Sequence, residues 1–337
     1  PLLINLIKNY QNQNKFDFRI VANKNYLYRF FYENYLFRKI IKKNGIDLIY
    51  NFSGTTQFFL SPPQIIKIHN LLFYCQKLDK NYFAQSKYFL WFKQVFFKAF
   101  VYRLMLKKSS HLEIQSNHVR EYLSDFINIK SKSFYIKSDI NSLNESFSLP
   151  KNYDFSKKIK ILYIVGPHFE YLHKNFKDFV NAMNEMNKTE INFEINITLT
   201  KKQLNNSGIW NQSLNAKTNF HGYINDRKVI KDLFIDNTIL ISTSIIETLG
   251  LHVIEGIKYG IVTIVPNEHY ARSVYGNEMF KYELFNHDSI IDTIESIIKC
   301  KDIHDKVLGQ QDYLKKIENQ KYQSILQVFN EVLNVQK

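Results

Sequence analysis

Glu247 and Glu255 stand eight positions apart in the segment Ser242 to Pro266, where an apolar strand pattern gives way to a helix and then to a second strand. Glu247 falls in the loop after the first strand. Gly250 follows at the start of the helix, where a missing Cβ lets backbone approach a ligand closely. A helix start offers unpaired N–H groups and the positive end of its dipole, which suits a diphosphate. Glu255 lies about one helical turn further on, where a carboxylate can accept two hydrogen bonds from the vicinal hydroxyls of a ribose. Glu247 can hold sugar hydroxyls in the same way. The same spacing also fits a capped helix with two solvated acids, because two glutamates at this separation are common by chance. Placement between two strands, with Gly250 and Gly260 bounding the helix, favours the ligand reading.

The histidines carry less information. His69 ends a strand pattern, a position more often held by a satisfied structural residue. His111, His118 and His221 read as structural. His168 and His173 are not at metal-ligand spacing with any third ligand, and no Asp-x-Asp pair offers a metal site, so no metal and no cofactor is expected.

The elements that must position these residues alternate. In the first half, residues 1–12 have helical periodicity, Phe16 to Ala22 reads as a strand, 27–43 as a helix and Asp47 to Tyr50 as a short strand. Gln64 to His69 is a strand, 85–108 a long helix, His111 to Gln115 a strand and 117–127 a helix. The polar stretch Ser138 to Lys158 reads as an interdomain linker. The alternation then restarts. Strands are expected at Lys160–Val165, Phe193–Leu199, Asn219–Gly222, Thr238–Ile241 and Ile261–Val265. Helices are expected at Asn175–Met186, Asp226–Phe234, Leu251–Tyr259, 288–299 and most of 303–334. Short apolar strands alternating with helices imply parallel βαβ units. The expectation is an α/β fold of two Rossmann-like domains with parallel sheets facing across a cleft: 1–145, 146–315, and a C-terminal helix 316–337 returning to the first.

The chain has 337 residues and is 45% hydrophobic, enough for two cores and against wholesale disorder. Its two cysteines, Cys75 and Cys300, make neither a disulfide scaffold nor a zinc site, which fits a reducing compartment. The most apolar stretch, Tyr88 to Leu106, is broken by Lys93, Lys98 and Arg103, so no transmembrane span is read there. Net charge is +14. Residues 1–150 hold 22 Lys and Arg against 9 Asp and Glu, and the rest hold 23 against 22. The excess therefore lies in the first half, which points to a surface that meets something anionic. No nucleic-acid-binding signature accompanies it, so no nucleic-acid partner is expected. The helix 85–108 has two readings, docking to an anionic membrane or packing with its lysines reaching to solvent.

Ser244-x2-Glu247-x2-Gly250-Leu251-x3-Glu255-x4-Gly260 resembles the E-x7-E signature of the retaining glycosyltransferases of family four, which have the GT-B fold. Ile161 to Phe176, with His173-Lys174-Asn175, is similar to the strand–loop–helix that opens their second domain. Phe220-His221-Gly222-Tyr223 looks like their turn beside the nucleotide base, and Ile68-His69-Asn70 like the strand-end histidine of their acceptor domain. The resemblance is specific over about residues 160–300 and weaker before.

The resemblance implies a hexosyl-type transferase, moving a sugar from a nucleotide-sugar donor to a hydroxyl of a glycan or lipid-linked glycan. It implies retention, no metal, and a bacterial surface-polysaccharide setting such as O-antigen or capsule. By resemblance Glu255 binds the ribose, Glu247 the donor sugar, and Lys174 the diphosphate. Thr248, Gly250, Leu251, Gly222, Tyr223 and His168 complete the donor site, and His69 joins Glu247 as catalytic. The implied location is cytoplasmic, with peripheral attachment to the cytoplasmic face of the inner membrane.

Two departures from the pattern stand out. The Arg frequent after the strand ending at Gly166 is replaced by Pro167-His168, leaving His168 or Arg272 to serve. The family's first Gly-rich loop would fall before Pro1, and Pro1-Leu2-Leu3 reads like the middle of an element. These departures keep a second class open: a glycosyltransferase-like binding protein without catalysis.

Overall fold

The computed structural model describes residues 26–52, 54–69, 71, 76–126, 133–136, 146–320 and 324–334. The elements expected over 1–12 and Phe16–Ala22, residues 138–145 of the expected linker, Asn70 and Cys75 lie outside them. The described residues fall into two compact units, one of 26–47 with 57–62, the other of 48–56 with everything from 63 onward.

The first unit is a helix with a loop laid on it. Tyr26–Phe31, a π-helical turn Tyr32–Leu36 and Phe37–Asn44 follow one another without a break. Asn34 is buried; its amide donates to the Phe30 carbonyl at 2.9 Å and its Oδ1 accepts from the Phe58 amide at 2.7 Å. Tyr35 stacks on Phe31 and packs on Phe59, each at 5.3 Å.

The second unit carries two parallel sheets. β1 (Ile49–Asn51), β2 (Gln64–Lys67), β3 (His111–Ile114) and β4 (Ser133–Ile136) form one, in that order. The other holds β5 (Ile159–Tyr163), β6 (Phe193–Ile197), β7 (Thr218–Phe220), β8 (Thr238–Ile241), β9 (Val262–Pro266) and β10 (Phe280–Tyr282). Its order is β10-β9-β8-β5-β6-β7, every pairing parallel. This is the doubly wound dinucleotide-binding order. The order in which successive strands are added reverses between β5 and β8, so a crevice opens at the carboxyl ends of those two strands.

Burial explains why these segments are strands. β8 and β9 are buried along their whole length, as both faces of a parallel sheet are covered by helices. Alternate residues serve opposite faces. Ile161, Ile195, Ile239 and Val262 pack with Phe179, Val180 and Met183 of the helix Phe176–Met186. Leu162 and Leu240 pack on the other face with Phe234, Tyr259 and Ile261. The helix Ile325–Asn334 lays Val328 and Val332 on Ile65 of β2. In the first sheet the buried pair Lys67–Glu113 (3.1 Å) joins neighbouring positions of β2 and β3, and Tyr50 donates to Glu113 at 2.7 Å.

Most expected elements stand within a few residues of their predicted bounds. The segment from Ser146, read as linker, differs: Phe147 packs on a core, and the Tyr153 hydroxyl donates to the Thr238 carbonyl and accepts from the Val262 amide at 2.7 Å. Its aromatics outweigh its polarity. Helices Gln76–Ala84, Lys201–Asn206 and His269–Tyr275 and strands β4 and β10 were not foreseen. Each is short, and a few residues show little periodicity. The expected helix 85–108 begins at Tyr88 and runs as Tyr88–Trp91, a π-helical turn Phe92–Phe96, and Phe97–Lys108. Val95 and Leu106 face the core, while Tyr88, Phe89, Phe92, Phe96, Phe97, Phe100 and Leu104 are exposed. Among the described residues no helix is long and apolar enough to cross a membrane.

Candidate active site at the carboxyl ends of β5 and β8

Residues 242–250 leave β8 and are laced to the loop that follows β5. The Ile245 amide donates to the His173 carbonyl at 2.7 Å, and the Thr243 hydroxyl donates to the Lys174 carbonyl at 2.8 Å. Tyr163, at the end of β5, donates in turn to Thr243 at 2.7 Å. Tyr270 donates to the Ser244 carbonyl at 2.5 Å. These bonds place Glu247 beside Lys174, and the two side chains pair at 2.5 Å.

The pair is only partly open to water, at 17% for the Glu247 side chain and 26% for Lys174. Burial alone would push the Glu247 carboxyl up. The charge of Lys174, with hydrogen bonds from Lys174 and Ser244, outweighs it and holds the group below its ordinary range. Glu247 is therefore ionised at neutral pH. His173 and His252 go the other way: burial lowers both to about 4, so both rings are neutral. His252 is fixed by Ser242, 3.1 Å away.

Two cavities meet at this pair. The smaller, about 150 Å³, is the crevice between β5 and β8, lined by Gly166, Lys174, Ser242, Ser244 and His252 among others. The larger, about 430 Å³, is lined by His69, His168, Tyr171, His173, Glu247 and Thr248. So His69 and His168, expected from opposite halves of the sequence, reach one cavity with Glu247. His69 rests on the Phe52 ring at 4.8 Å, and His168 stacks on Tyr171 at 4.9 Å. Arg272 does not take the place of the missing arginine. Its guanidinium donates to the Asn267 side chain at 2.6 Å, in the loop after β9.

Gly250 has φ 58° and precedes the helix Leu251–Lys258. A Cβ there would collide with the Tyr275 hydroxyl, so only glycine lets the loop lie this close. Leu251, the first residue of the helix, is exposed. Gly260 follows the helix and its carbonyl accepts from the Lys151 amide. Glu255 is on the helix, nearly buried, with Arg227 Nε at 3.6 Å. Gly222 (φ 70°) turns the chain after β7 and leaves the Tyr223 ring exposed. Glu255, Gly222 and Tyr223 are not among the residues lining the two cavities. His221 bonds Asn196 on the sheet surface. His252, Tyr275 and Arg227 were not singled out from sequence; His252, one residue into the Gly250 helix, had the only local signal.

This is the GT-B architecture, with the candidate site at the switch point of the second sheet. Residues 147–320 match the family profile of Glycosyl transferases group 1, and the chain belongs to that family. The fold is similar to a sucrose-phosphate synthase from Thermosynechococcus elongatus (15% identity, 89% of this chain and 77% of that one, TM-score 0.59). It is also similar to a glycosyltransferase from Rickettsia africae (16%, 97% and 88%, 0.53) and to the lipopolysaccharide outer core galactosyltransferase WaaB (14%, 89% and 81%, 0.55). No curated protein matches the sequence.

Proposed function

We propose that the protein is a retaining, hexosyl-type glycosyltransferase, taking its sugar from a nucleotide-sugar donor and adding it to a hydroxyl of a glycan or lipid-linked glycan. The observation that carries this reading is the Lys174–Glu247 pair at the meeting of the two cavities. A sugar bound there has a carboxylate beside its anomeric carbon and an ammonium beside its diphosphate. As the C–O bond to the diphosphate breaks, positive charge grows on the sugar and negative charge on the leaving group. Glu247 and Lys174 are matched to those charges and already ordered, which is the economical way to lower such a barrier. The acceptor hydroxyl enters through the 430 Å³ cavity beside His69. Glu255 takes the ribose, Gly222 and Tyr223 lie along the base, and Thr248, Gly250, Leu251 and His168 complete the donor site. Lys174 does the work that a divalent ion does in other transferases, so the reaction needs none.

The exposed aromatic and basic face of 88–108 supports docking on an anionic membrane. The reading extends to a bacterial surface-polysaccharide pathway of O-antigen or capsule type, on the cytoplasmic face of the inner membrane. The test is calorimetric titration of UDP, GDP and their hexose conjugates, followed by turnover with and without EDTA. One nucleotide should bind, its sugar conjugate should be consumed, and EDTA should change nothing. Binding without turnover would make the chain a binding protein. No binding at all would remove the reading.

Glu255→Ala should cost about 1.5–3 kcal/mol for each ribose hydrogen bond lost, because the acceptor is charged. Nucleotide affinity then falls by at least tenfold in the same calorimeter. An unchanged affinity removes Glu255 from the donor site.

A further inference from the structure

Ser116 and His118 follow β3 in the first sheet, yet both side chains end on the Glu247 loop. His118 is wholly buried. Its Nε2 lies 3.0 Å from the Glu247 carbonyl oxygen and its Nδ1 2.9 Å from the Ser116 hydroxyl, which also lies 3.3 Å from the Thr248 carbonyl. A carbonyl oxygen only accepts, so Nε2 carries the proton and donates it. A neutral imidazole has one N–H, so Nδ1 accepts, and Ser116 is the donor that seats it. Burial lowers His118 to about 4 and keeps the ring neutral. Tyr122 meets the ring edge-on at 6.3 Å, and Tyr270, itself bonded to Ser244, stands at the same distance. The ring is therefore packed where it can only aim at that carbonyl.

We infer that His118, seated by Ser116, is a positioning residue for Glu247: it fixes the peptide that carries the carboxylate, while Lys174 holds the carboxylate itself. This rests on Glu247 being the group that faces the donor sugar. The Glu247 carbonyl is gripped by a ring that belongs to the chain after β3. The Glu247–Thr248 peptide cannot turn without losing that buried hydrogen bond. A carboxylate on a loop free to turn would be misplaced by the ångström that costs about 10²-fold in rate.

Three replacements separate this from simple space-filling. Gln places its Nε2 amide where the ring Nε2 stands, Asn falls short of it, and Phe fills the volume with no donor. Amide hydrogen exchange over 242–252, measured on the whole chain without ligand, should rise about tenfold in His118→Phe and His118→Asn and stay near the native rate in His118→Gln. With whichever nucleotide sugar the native chain consumes, kcat should fall about 10²-fold in the first two variants, nucleotide affinity should hold within about twofold, and Gln should restore turnover. In protein with 15N-labelled histidine, His118 should give the Nε2–H tautomer. Native-like exchange and turnover in the Phe variant would overturn the assignment, as would a Gln variant no better than Phe or an Nδ1–H tautomer. If Phe prevents folding, the Gln–Asn contrast decides. If the native chain consumes no nucleotide sugar, the transfer reading falls, while exchange and the tautomer still decide what His118 does.

Discussion

Glu247→Gln should lower sugar transfer by about 10²–10³-fold, the usual cost of removing one preorganised electrostatic partner of a transition state. The amide keeps the shape and can still accept from a sugar hydroxyl, but it carries no charge to set against the cationic sugar. Nucleotide affinity should change by no more than about threefold, because Lys174 is set free to bind the diphosphate. Equal losses of turnover and affinity would make Glu247 an ordinary binding residue. Lys174→Met supplies the complementary arm. Without the ammonium, burial dominates and the Glu247 carboxyl rises above its ordinary range. The sign of the stability change follows from linkage. In the native chain the folded pKa is depressed, so ionised Glu247 adds stability above the unfolded value and loses it as pH falls through the folded one. In Lys174→Met the folded pKa is raised. Stability is then fully present below the unfolded value and is lost as pH rises through the folded one. The deficit relative to the native chain should be greatest near neutrality, up to about 3 kcal/mol, the lower end for a broken buried pair because both side chains keep some water. It should shrink toward pH 4. Denaturant unfolding across that range checks it, and a pH-independent deficit would mean Lys174 matters only for packing.

What the sequence made legible, and what it hid, follows from how far each feature reaches along the chain. The Glu247 loop and the Gly250 helix could be read because two buried strands, β8 and β9, bracket them within 30 residues, and continuous apolar runs of that kind leave few alternatives. The pairing of Lys174 with Glu247 could not: 73 residues separate them, and only the lacing between the loops after β5 and β8 brings them together. The grip of His118 on the Glu247 carbonyl spans 129 residues and comes from the other sheet. A histidine four residues past a strand looks the same whether its ring meets solvent, core or a distant loop. Arg272 shows the converse. It was free to reach the diphosphate on paper, and a local bond to Asn267 keeps it elsewhere. The face of 88–108 was hidden for another reason. Aromatics recurring every three or four residues mark a stripe, but periodicity does not say whether the stripe faces the core or the solvent.

That stripe sets the second large effect. Phe89, Phe92, Phe96, Phe100 and Leu104 recur at helical spacing and are all exposed, with Phe89 at 78%, and Lys93, Lys98, Lys107 and Lys108 are exposed on the same segment. An exposed aromatic stripe with lysines exposed on the same segment is matched to an interface of acyl chains and anionic headgroups. Two terms then act together. Each lysine near such a surface contributes about 1 kcal/mol, and each buried phenylalanine about 1.5–3 kcal/mol. They respond differently to salt. The Debye length is about 8 Å at 0.15 M and about 3 Å at 1 M, so the lysine term fades while the aromatic term stays. Liposomes containing anionic lipid should therefore sediment the protein strongly at low salt and weakly at 1 M. Replacing the four lysines by Glu should reproduce the high-salt behaviour, a loss of about 10³-fold or more. Replacing Phe89, Phe92 and Phe96 by Ser should weaken binding at every salt concentration, and should not lower thermal stability, because these rings face outward. Nucleotide binding should pass through the salt titration little changed, since its contacts are short hydrogen bonds. If the Lys→Glu variant sediments as well as the native chain, the basic residues are not a docking surface. If the Phe→Ser variant unfolds, the aromatic stripe is part of the core rather than a face for lipid.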